Sequence, residues 1–140
     1  FVDPNLLKGD GSAIGLEFQL LDDERHPDAK MGRDGNRTIG SLYDLITARN
    51  LSDPDSPGKR VNAPGEWNRA VIVVRGKHVE HWLNGFKVVE YERGSPAFRE
   101  LVARSKYAKW PNFGEWEQGP ILLQDHGDRV DFRSIKLREF

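Results

Sequence analysis

The sequence predicts an all-β protein, an antiparallel β-sandwich or jelly roll with one short helix. Its 14 Gly and 8 Pro interrupt the 140-residue chain too often for long helices. Several short segments alternate apolar and polar side chains, which is the period of a strand with one buried face. Two of these segments flank Asn84-Gly85, a two-residue link that is typical of a β-hairpin.

The predicted strands follow one another along the chain, with long polar loops over residues 22–38 and 47–66. Strands are expected over residues 14–21, 39–46, 67–75, 78–83, 86–91, 121–124 and 130–137. In the hairpin, the Asn84-Gly85 turn should pair Leu83 with Phe86, Trp82 with Lys87 and His81 with Val88.

One helix is expected, over residues 96–106. Ser95 is suited to cap its first turn, and Pro96 is suited to the first helical position. The residues that share its apolar face are Phe98, Leu101, Val102 and Ser105.

Composition excludes several classes of function. The charges of 21 Lys+Arg and 22 Asp+Glu nearly cancel, which argues against a nucleic-acid partner. Cysteine is absent, so disulfides, thiolate metal sites and thiol nucleophiles are excluded. The sequence contains no apolar run long enough for a membrane span, and its length fits a single domain, residues 1–140.

Polar side chains on two predicted strands are the candidates for chemistry. Glu17 and Gln19 share one face of the first strand, and Gln124 and His126 share one side of a later segment. If these strands lie in one sheet, a carboxylate, two amides and an imidazole meet on its open face. Carboxylate and imidazole form an acid–base pair, and amides suit sugar hydroxyls. The alternative is an ordinary solvated sheet face.

His81 has a different pattern, because it shares its parity with Val79 and Leu83. A histidine in that position is more often a hydrogen-bonded core residue than a ligand.

Five blocks of sequence, in order, carry a resemblance to a known family. They are GLEFQLLDDERHPDA, NRTIGSLYDLI, PGEWN, HVEHWLNGFKVVEYERG and ILLQDHGDRVDFRSIKLREF. The chain resembles, nearly end to end, the bacterial 3-keto-disaccharide hydrolase domain family. The resemblance implies a concanavalin A-like jelly roll. Members normally begin with further strands, so residues 1–140 are expected to be the later part of such a domain, without its N-terminal strands.

The resemblance also implies a chemistry. The substrates are glycosides already oxidised to a ketone at C3 by a separate oxidoreductase. The ketone acidifies the C2 proton, a base removes it, and the C1 aglycone leaves by β-elimination. Water then adds to the enone, so that the sum is hydrolysis. This route needs a base near C2, an electrophile for the C3 oxygen and an acid for the leaving group.

Carried over position by position, the resemblance assigns roles to eight residues. Glu17 and His126 are expected to transfer protons, and Gln19 and Gln124 to bind hydroxyls. Four further residues are expected to line the substrate site, namely His26, Arg37, Tyr43 and His81. The resemblance gives no certain cofactor, and a divalent metal held by Glu17 and a histidine stays open. Asn84-Gly85 and the PGEW segment are expected to be structural.

Two functions from different classes remain open at this point. The first is the enzyme described above, acting on a 3-keto sugar. The second is a non-catalytic, lectin-like carbohydrate-binding module, since this type of sandwich hosts many lectins. An enzyme is expected to gather the carboxylate and the histidine in one pocket of about 300–1,000 Å³. The family resemblance implies a periplasmic or secreted location.

Overall fold

A computed structural model describes residues 13–139 of the chain. The predicted domain start at residue 1, and the beginning of the family resemblance, lie outside the described residues. The helices and strands are a 3₁₀ helix at Pro27–Lys30, β1 (Ala70–Arg75), β2 (His78–Leu83), β3 (Phe86–Glu92), α1 (Pro96–Ala103) and a second 3₁₀ helix at Lys106–Lys109. The described part of the chain therefore forms strands and one α-helix, which agrees with the predicted all-β class.

The three strands form one antiparallel sheet in the order β1-β2-β3. The hairpin between β2 and β3 pairs Leu83 with Phe86 and Trp82 with Lys87, as predicted. The predicted pairing of His81 with Val88 is wrong, because the register shifts next to His81 and this residue pairs with Val89. The shift leaves Val88 as an extra residue in β3. As a result, two consecutive valines of one strand are buried.

The predicted strands over residues 14–21 and 39–46 are reduced to isolated bridges, in which Leu42 contacts Phe18 on one side and Ile46 on the other. The reason lies in the second segment, which folds back on itself instead of extending. Gly40 and Asp44 have positive φ angles of 82° and 60°, and Leu42 exchanges backbone hydrogen bonds with Ile46. A chain bent at these two positions cannot continue as a strand.

The two bent segments still hold each other through a short run of backbone hydrogen bonds. Gln19 N–H donates to Ser41 O over 3.1 Å, and Tyr43 N–H donates to Glu17 O over 3.1 Å. The following loop then reaches the sheet, where the N–H groups of Arg49 and Leu51 donate to the β3 carbonyls. The N-terminal part of the described chain is thus attached to both the core and the edge of β3.

The predicted strands over residues 121–124 and 130–137 do not form. Residues 120–139 are exposed throughout, and no backbone ladder joins them to another segment. A strand needs partners for its backbone N–H and C=O groups, and alternation of apolar residues alone does not supply them. The segment does contact the residues that precede β1, since the Arg133 guanidinium carbon lies 4.0 Å from the centre of the Trp67 ring.

The predicted helix is present but ends three residues early. Ser95 caps α1 by accepting a hydrogen bond from Phe98 N–H over 3.1 Å, and Pro96 is its first residue. The helix ends at Ala103 rather than at residue 106 because Ser105 takes extended backbone angles and caps the second 3₁₀ helix. Within the described residues, no helix is both long and apolar enough to cross a membrane.

The core lies between the sheet, α1 and the two bent segments. Its most deeply buried side chains include Leu42, Leu83, Phe98 and Phe113. Backbone approaches are close here, since a Cβ on Gly114 would lie 2.8 Å from the Leu16 side chain and 2.9 Å from the Phe98 ring. A side chain at that position would force one of these two neighbours to move.

The Asn84-Gly85 turn has the structural role that the sequence predicts. Asn84 has a φ angle of 50°, a left-handed conformation that asparagine tolerates. Its side-chain oxygen accepts from Arg69 N–H over 2.8 Å, and its amide nitrogen donates to Arg60 O over 3.0 Å and to Asn68 Oδ1 over 2.8 Å. One side chain therefore joins the hairpin turn to the preceding loop.

His81 is buried in this core, as its apolar parity predicts. Its Nδ1 donates to Gly40 O over 3.0 Å, and its ring lies 4.8 Å from the Phe18 ring and 6.0 Å from the Tyr91 ring, centre to centre. Burial lowers the pKa of His81 to about 4, against the opposing effect of the Gly40 hydrogen bond. The folded protein therefore holds a neutral imidazole.

The burial of His81 predicts an acid-sensitive contribution to stability. Because the folded pKa lies below the value of 6.5 for a free histidine, protonation favours the unfolded chain. The stabilising contribution is complete above pH 6.5 and is lost as the pH falls towards 4, up to about 3 kcal/mol. Urea unfolding at several pH values measures this slope.

The variant His81→Asn keeps a donor for Gly40 O and removes the titrating group. Its free energy of unfolding should be lower at neutral pH, since a ring is lost from the core, but should vary less between pH 6.5 and 4 than that of the wild type. The core residue Leu83 supplies the control, because Leu83→Ala removes a buried side chain without a titrating group and should retain the wild-type slope. An unchanged slope in His81→Asn would show that another group causes the acid sensitivity.

Candidate active site

Glu17 lies at the centre of a polar cluster on one side of the core. The backbone bond from Tyr43 N–H to Glu17 O fixes its position in the first bent segment. Tyr107 donates from its hydroxyl to Glu17 Oε2 over 3.5 Å, and the charges of Lys106 and His126 also act on this carboxylate. His126 acts on Glu17 as a nearby charge, and no hydrogen bond or ion pair joins the two side chains within the described residues.

The environment of Glu17 favours its neutral form more than water does. The carboxylate is half-buried, and burial raises its pKa above 4.5 against the opposing charges of Lys106 and His126. A carboxylate with a raised pKa is a stronger base than an exposed one, which suits proton abstraction near neutral pH.

Arg37 anchors the loop that faces this carboxylate. Its Nε donates to Asp44 Oδ1 and its Nη1 donates to Asp28 Oδ1, each over 2.8 Å. Burial disfavours the charge of Arg37, but these two hydrogen bonds outweigh it and raise the pKa of Arg37. Burial also acts on Asp28, but the hydrogen bonds from Arg37 and Tyr43 outweigh it and lower the pKa of Asp28. The guanidinium is therefore permanently charged and committed to two carboxylates.

Asp44 connects this ion-pair network to the second 3₁₀ helix. Its Oδ2 accepts from Lys106 N–H over 2.9 Å, so both carboxylate oxygens are used. The Lys106 ammonium then lies 4.0 Å from the centre of the Tyr43 ring and 5.0 Å from that of Tyr107. These distances are typical of cation–π contacts.

Tyr43 and Tyr107 stay protonated in this setting. Burial raises the pKa of both hydroxyls, and the nearby carboxylates Asp28 and Glu17 add to the effect. Neutral phenols can donate hydrogen bonds to the carboxylates or to a ligand.

The other predicted site residues are distributed more widely. Gln19 is half-buried, and its Oε1 accepts from Leu20 N–H over 3.1 Å. Gln124 is exposed on the C-terminal segment. His26 accepts from Asp28 N–H at its Nδ1 over 3.2 Å, and so caps the first 3₁₀ helix beside the Arg37 network. His81 lies in the core, as described above.

Two surface cavities, of about 410 and 270 Å³, lie elsewhere. The larger is lined by the loop of residues 45–51, by β3 and by Leu101, and the smaller is lined by α1 and residues 108–115. Neither includes Glu17 or His126 in its lining, and the expected pocket shared by these two residues stays a prediction.

A metal ion could be held by three side chains on the outer face of the β2–β3 hairpin, His78, Glu80 and Glu90. Their ligand atoms lie within 4.8 Å of one another. The Lys87 ammonium already forms ion pairs with two of these side chains, because its Nζ lies 2.7 Å from Glu90 Oε2 and 3.8 Å from Glu80 Oε1. The hydrogen bond from the Trp82 indole lowers the pKa of Glu80 in addition. The group differs from the expected metal site, which would include Glu17.

Sequence reasoning missed four members of the cluster around Glu17, which are Asp28, Asp44, Lys106 and Tyr107. Asp44 offered a signal, since it stands between apolar residues in the segment IGSLYDLI, where a half-buried strand would bury it. Lys106 and Tyr107 gave no separate signal, because the predicted helix runs directly into them.

The fold and the cluster together define a β-sheet domain that carries a cluster of tyrosine, lysine and carboxylate groups. Comparison with known proteins identifies the family. The model of the 3-keto-alpha-glucoside-1,2-lyase-like domain matches residues 5–138. The chain therefore belongs to this family, as the sequence resemblance predicts.

Two relatives illustrate the similarity. A protein of Bacteroides thetaiotaomicron named 3-keto-disaccharide hydrolase is 40% identical over 134 residues, an alignment that covers 87% of this chain and 43% of the relative. A crystal structure from Parabacteroides distasonis, described as a proposed glycosyl hydrolase, is similar with a TM-score of 0.57 and 29% identity over 74% of this chain and 44% of that one. The likeness supports the jelly-roll fold class. The chain spans less than half the length of each relative.

The bond network around Asp44 predicts a specific loss of stability. Asp44→Asn keeps a residue that tolerates the left-handed backbone but removes the charge opposite Arg37 and one of two acceptor oxygens. We expect the free energy of unfolding to fall by about 1–3 kcal/mol, as measured by urea denaturation.

Asp34→Asn is the matched control. Asp34 also has a left-handed φ angle, of 51°, but its side chain is exposed. Its replacement should change stability by less than about 0.5 kcal/mol. Equal effects of the two substitutions would show that the Arg37–Asp44 pair does not stabilise the fold.

Proposed function

We propose that this protein cleaves glycosides whose sugar carries a ketone at C3, by β-elimination followed by hydration. The observation that carries the proposal is the half-buried Glu17 carboxylate, which accepts a hydrogen bond from Tyr107 and is subject to the charges of Lys106 and His126. Family membership supports glycoside cleavage in general, and the name of the Bacteroides thetaiotaomicron relative supports a 3-keto disaccharide as substrate.

In the proposed reaction, Glu17 takes the C2 proton. The electron pair of the broken C2–H bond forms the C2=C3 double bond of an enolate, and negative charge passes to the C3 oxygen. When the enolate collapses, the ketone returns, a C1=C2 double bond forms and the C1–O bond to the aglycone breaks. Water then adds its oxygen to C1 and a proton to C2, so that the products are those of hydrolysis.

His126 is proposed to protonate the leaving aglycone oxygen. The electrostatic effect of His126 on Glu17 supports placing both groups beside one sugar residue. It follows Asp125 in an exposed turn, where the Asp125 carboxylate accepts from Gly127 N–H over 2.9 Å. Gln124, in the same segment, and Gln19 are proposed to bind sugar hydroxyls.

Tyr43, Arg37 and His26 are proposed to bound the substrate site on the loop side. Arg37 and His26 act mainly through Asp28, to which both are hydrogen-bonded. Their role is to hold the loop, while the Tyr43 ring forms part of the surface beside the Lys106 ammonium.

The setting of the reaction is proposed from the family alone. A separate oxidoreductase would supply the C3 ketone, and a periplasmic or secreted location would give access to the glycosides. The reaction as written requires no metal. Activity that disappears with a chelator and returns with a divalent ion would show that one takes part.

The role of Glu17 predicts a separation of activity from stability. Glu17→Gln keeps the shape but removes the base, so the rate of aglycone release from a chromogenic 3-keto-glucoside should fall at least 100-fold. Because burial raises the pKa of Glu17, the charged carboxylate disfavours the folded state above pH 4.5. The variant should therefore unfold at the same temperature as the wild type or higher at neutral pH, and this difference should vanish below pH 4.5.

Glu24→Gln, in the exposed part of the loop that follows Glu17, controls for the loss of one negative charge and should leave the rate unchanged. The wild-type rate should rise with pH through a pKa above 4.5. Undiminished release by Glu17→Gln would remove this residue from the mechanism. Binding of the keto-glucoside by the wild type without any release would favour the lectin-like alternative.

A further inference from the structure

The proposed reaction requires a positive group for the C3 oxygen, and none of the residues predicted from sequence supplies it. Negative charge develops on this oxygen as the C2 proton leaves, and a fixed donor aimed at it lowers the barrier. We propose that the ammonium of Lys106 binds the C3 ketone oxygen and stabilises the enolate. The inference rests on the function proposed above and names the chemical group that the site selects.

Arg37, the other cation of the cluster, is poorly placed for this task. Its Nε and Nη1 already donate to Asp44 and Asp28 over 2.8 Å, and its side chain is 17% exposed. Breaking either bond to reach a ligand would leave a carboxylate without its main partner. Arg37 is thus a structural cation.

Lys106 has the opposite character. The residue is exposed, and its ammonium contacts the faces of Tyr43 and Tyr107 at 4.0 and 5.0 Å. Among the described residues, no carboxylate lies within 4.0 Å of its Nζ as an ion pair. An aromatic face attracts the ammonium but leaves its N–H groups able to donate to a ligand.

The position of Lys106 relative to Glu17 suits two adjacent atoms of one sugar. The Tyr107 ring lies between them, with its hydroxyl 3.5 Å from Glu17 Oε2 and its ring centre 5.0 Å from the ammonium. The hydrogen bond from Lys106 N–H to Asp44 fixes the backbone from which the side chain extends. C2 and C3 are neighbours, so a sugar that offers its C2 proton to Glu17 presents the C3 oxygen nearby.

The protonation behaviour of Lys106 is compatible with this role. Burial of its ammonium end lowers its pKa, while Glu17 and Asp44 act in the opposite direction. A lowered pKa makes the ammonium a stronger hydrogen-bond donor to an oxyanion. No covalent bond to Lys106 forms in the proposed step, and its proton count is the same before and after elimination.

The test compares Lys106→Met, Lys106→Arg and a control, Lys109→Met. Lys109 belongs to the same 3₁₀ helix, and its ammonium lies 5.6 Å from the Trp110 ring centre. We expect Lys106→Met to lower kcat for aglycone release about 100-fold. Lys106→Arg should recover part of the loss, because it restores the charge and donors, and Lys109→Met should match the wild type. Equal rates for Lys106→Met and the wild type would overturn the proposal.

A binding measurement tests the inference even if no aglycone is released. The two ligands are 3-keto-1,5-anhydroglucitol and 1,5-anhydroglucitol, which differ only in the oxidation state at C3. Calorimetry should show that the wild type binds the ketone more tightly than the alcohol. In Lys106→Met the ratio of the two affinities should fall at least tenfold, while the affinity for the alcohol stays as in the wild type. If Lys106 had only a structural role, Lys106→Met would weaken the binding of both ligands by a similar factor. No preference in the wild type, or a preference retained in Lys106→Met, would overturn the proposal.

Reductive trapping distinguishes the ammonium from an imine. If the neutral amine of Lys106 condensed with the ketone, borohydride would fix the sugar to the chain, and mass spectrometry of the wild type would show the adduct at Lys106. We expect no such adduct. Its appearance in the wild type, and its loss in Lys106→Met, would overturn the non-covalent role.

Discussion

The two ion pairs that Arg37 forms with Asp28 and Asp44 determine the arrangement of the candidate site. This side chain joins Asp28 of the first 3₁₀ helix to Asp44 of the second bent segment, and Asp44 in turn accepts from Lys106 N–H. Asp28 and Asp44 therefore meet at one guanidinium, and Lys106, 62 positions from Asp44, is joined to them through the Asp44 carboxylate. Because the segments that carry these residues lack continuous strand pairing, the polar bonds replace a backbone ladder in fixing their positions.

The same arrangement explains why the candidate site lies beside the sheet, on the bent segments and the second 3₁₀ helix, and not on the strands themselves. The β2–β3 hairpin supplies the rigid support, since Leu83, Val88 and Val89 are almost completely buried. His81 links this support to the bent segments by its bond to Gly40 O. Gly40 also donates its N–H to Gln19 O over 2.8 Å, two residues from Glu17. Packing of the core thus extends to the carboxylate through a short series of backbone contacts.

Much of the fold could be predicted from local sequence signals. The Asn84-Gly85 turn, the Ser95 cap and the burial of His81 depend on residues close together in the chain, and all three are confirmed. The bulge at Val88 could not be predicted, because the burial of both Val88 and Val89 depends on distant core contacts that the alternation along β3 does not encode. The strands expected at residues 121–124 and 130–137 failed for a similar reason, since a strand depends on partners that its own sequence does not specify.

The candidate site was predictable only in part. Glu17 and His126 were selected by parity and family resemblance, and their roles stay predictions. Asp44, Lys106 and Tyr107 enter through long-range contacts, the Lys106–Asp44 bond joining residues 62 positions apart. Such contacts leave no periodic trace in a single sequence.

The most direct test of the central claim, that Glu17 removes the proton at C2, is hydrogen exchange in deuterated water. The ligand 3-keto-1,5-anhydroglucitol has the ketone and the C2 proton but no aglycone, so proton NMR can follow loss of the C2 signal without elimination of a leaving group. The wild type should catalyse the exchange well above the buffer rate, and Glu17→Gln should return it to nearly that rate. Exchange that is equally fast with Glu17→Gln, or absent with the wild type, would contradict the claim.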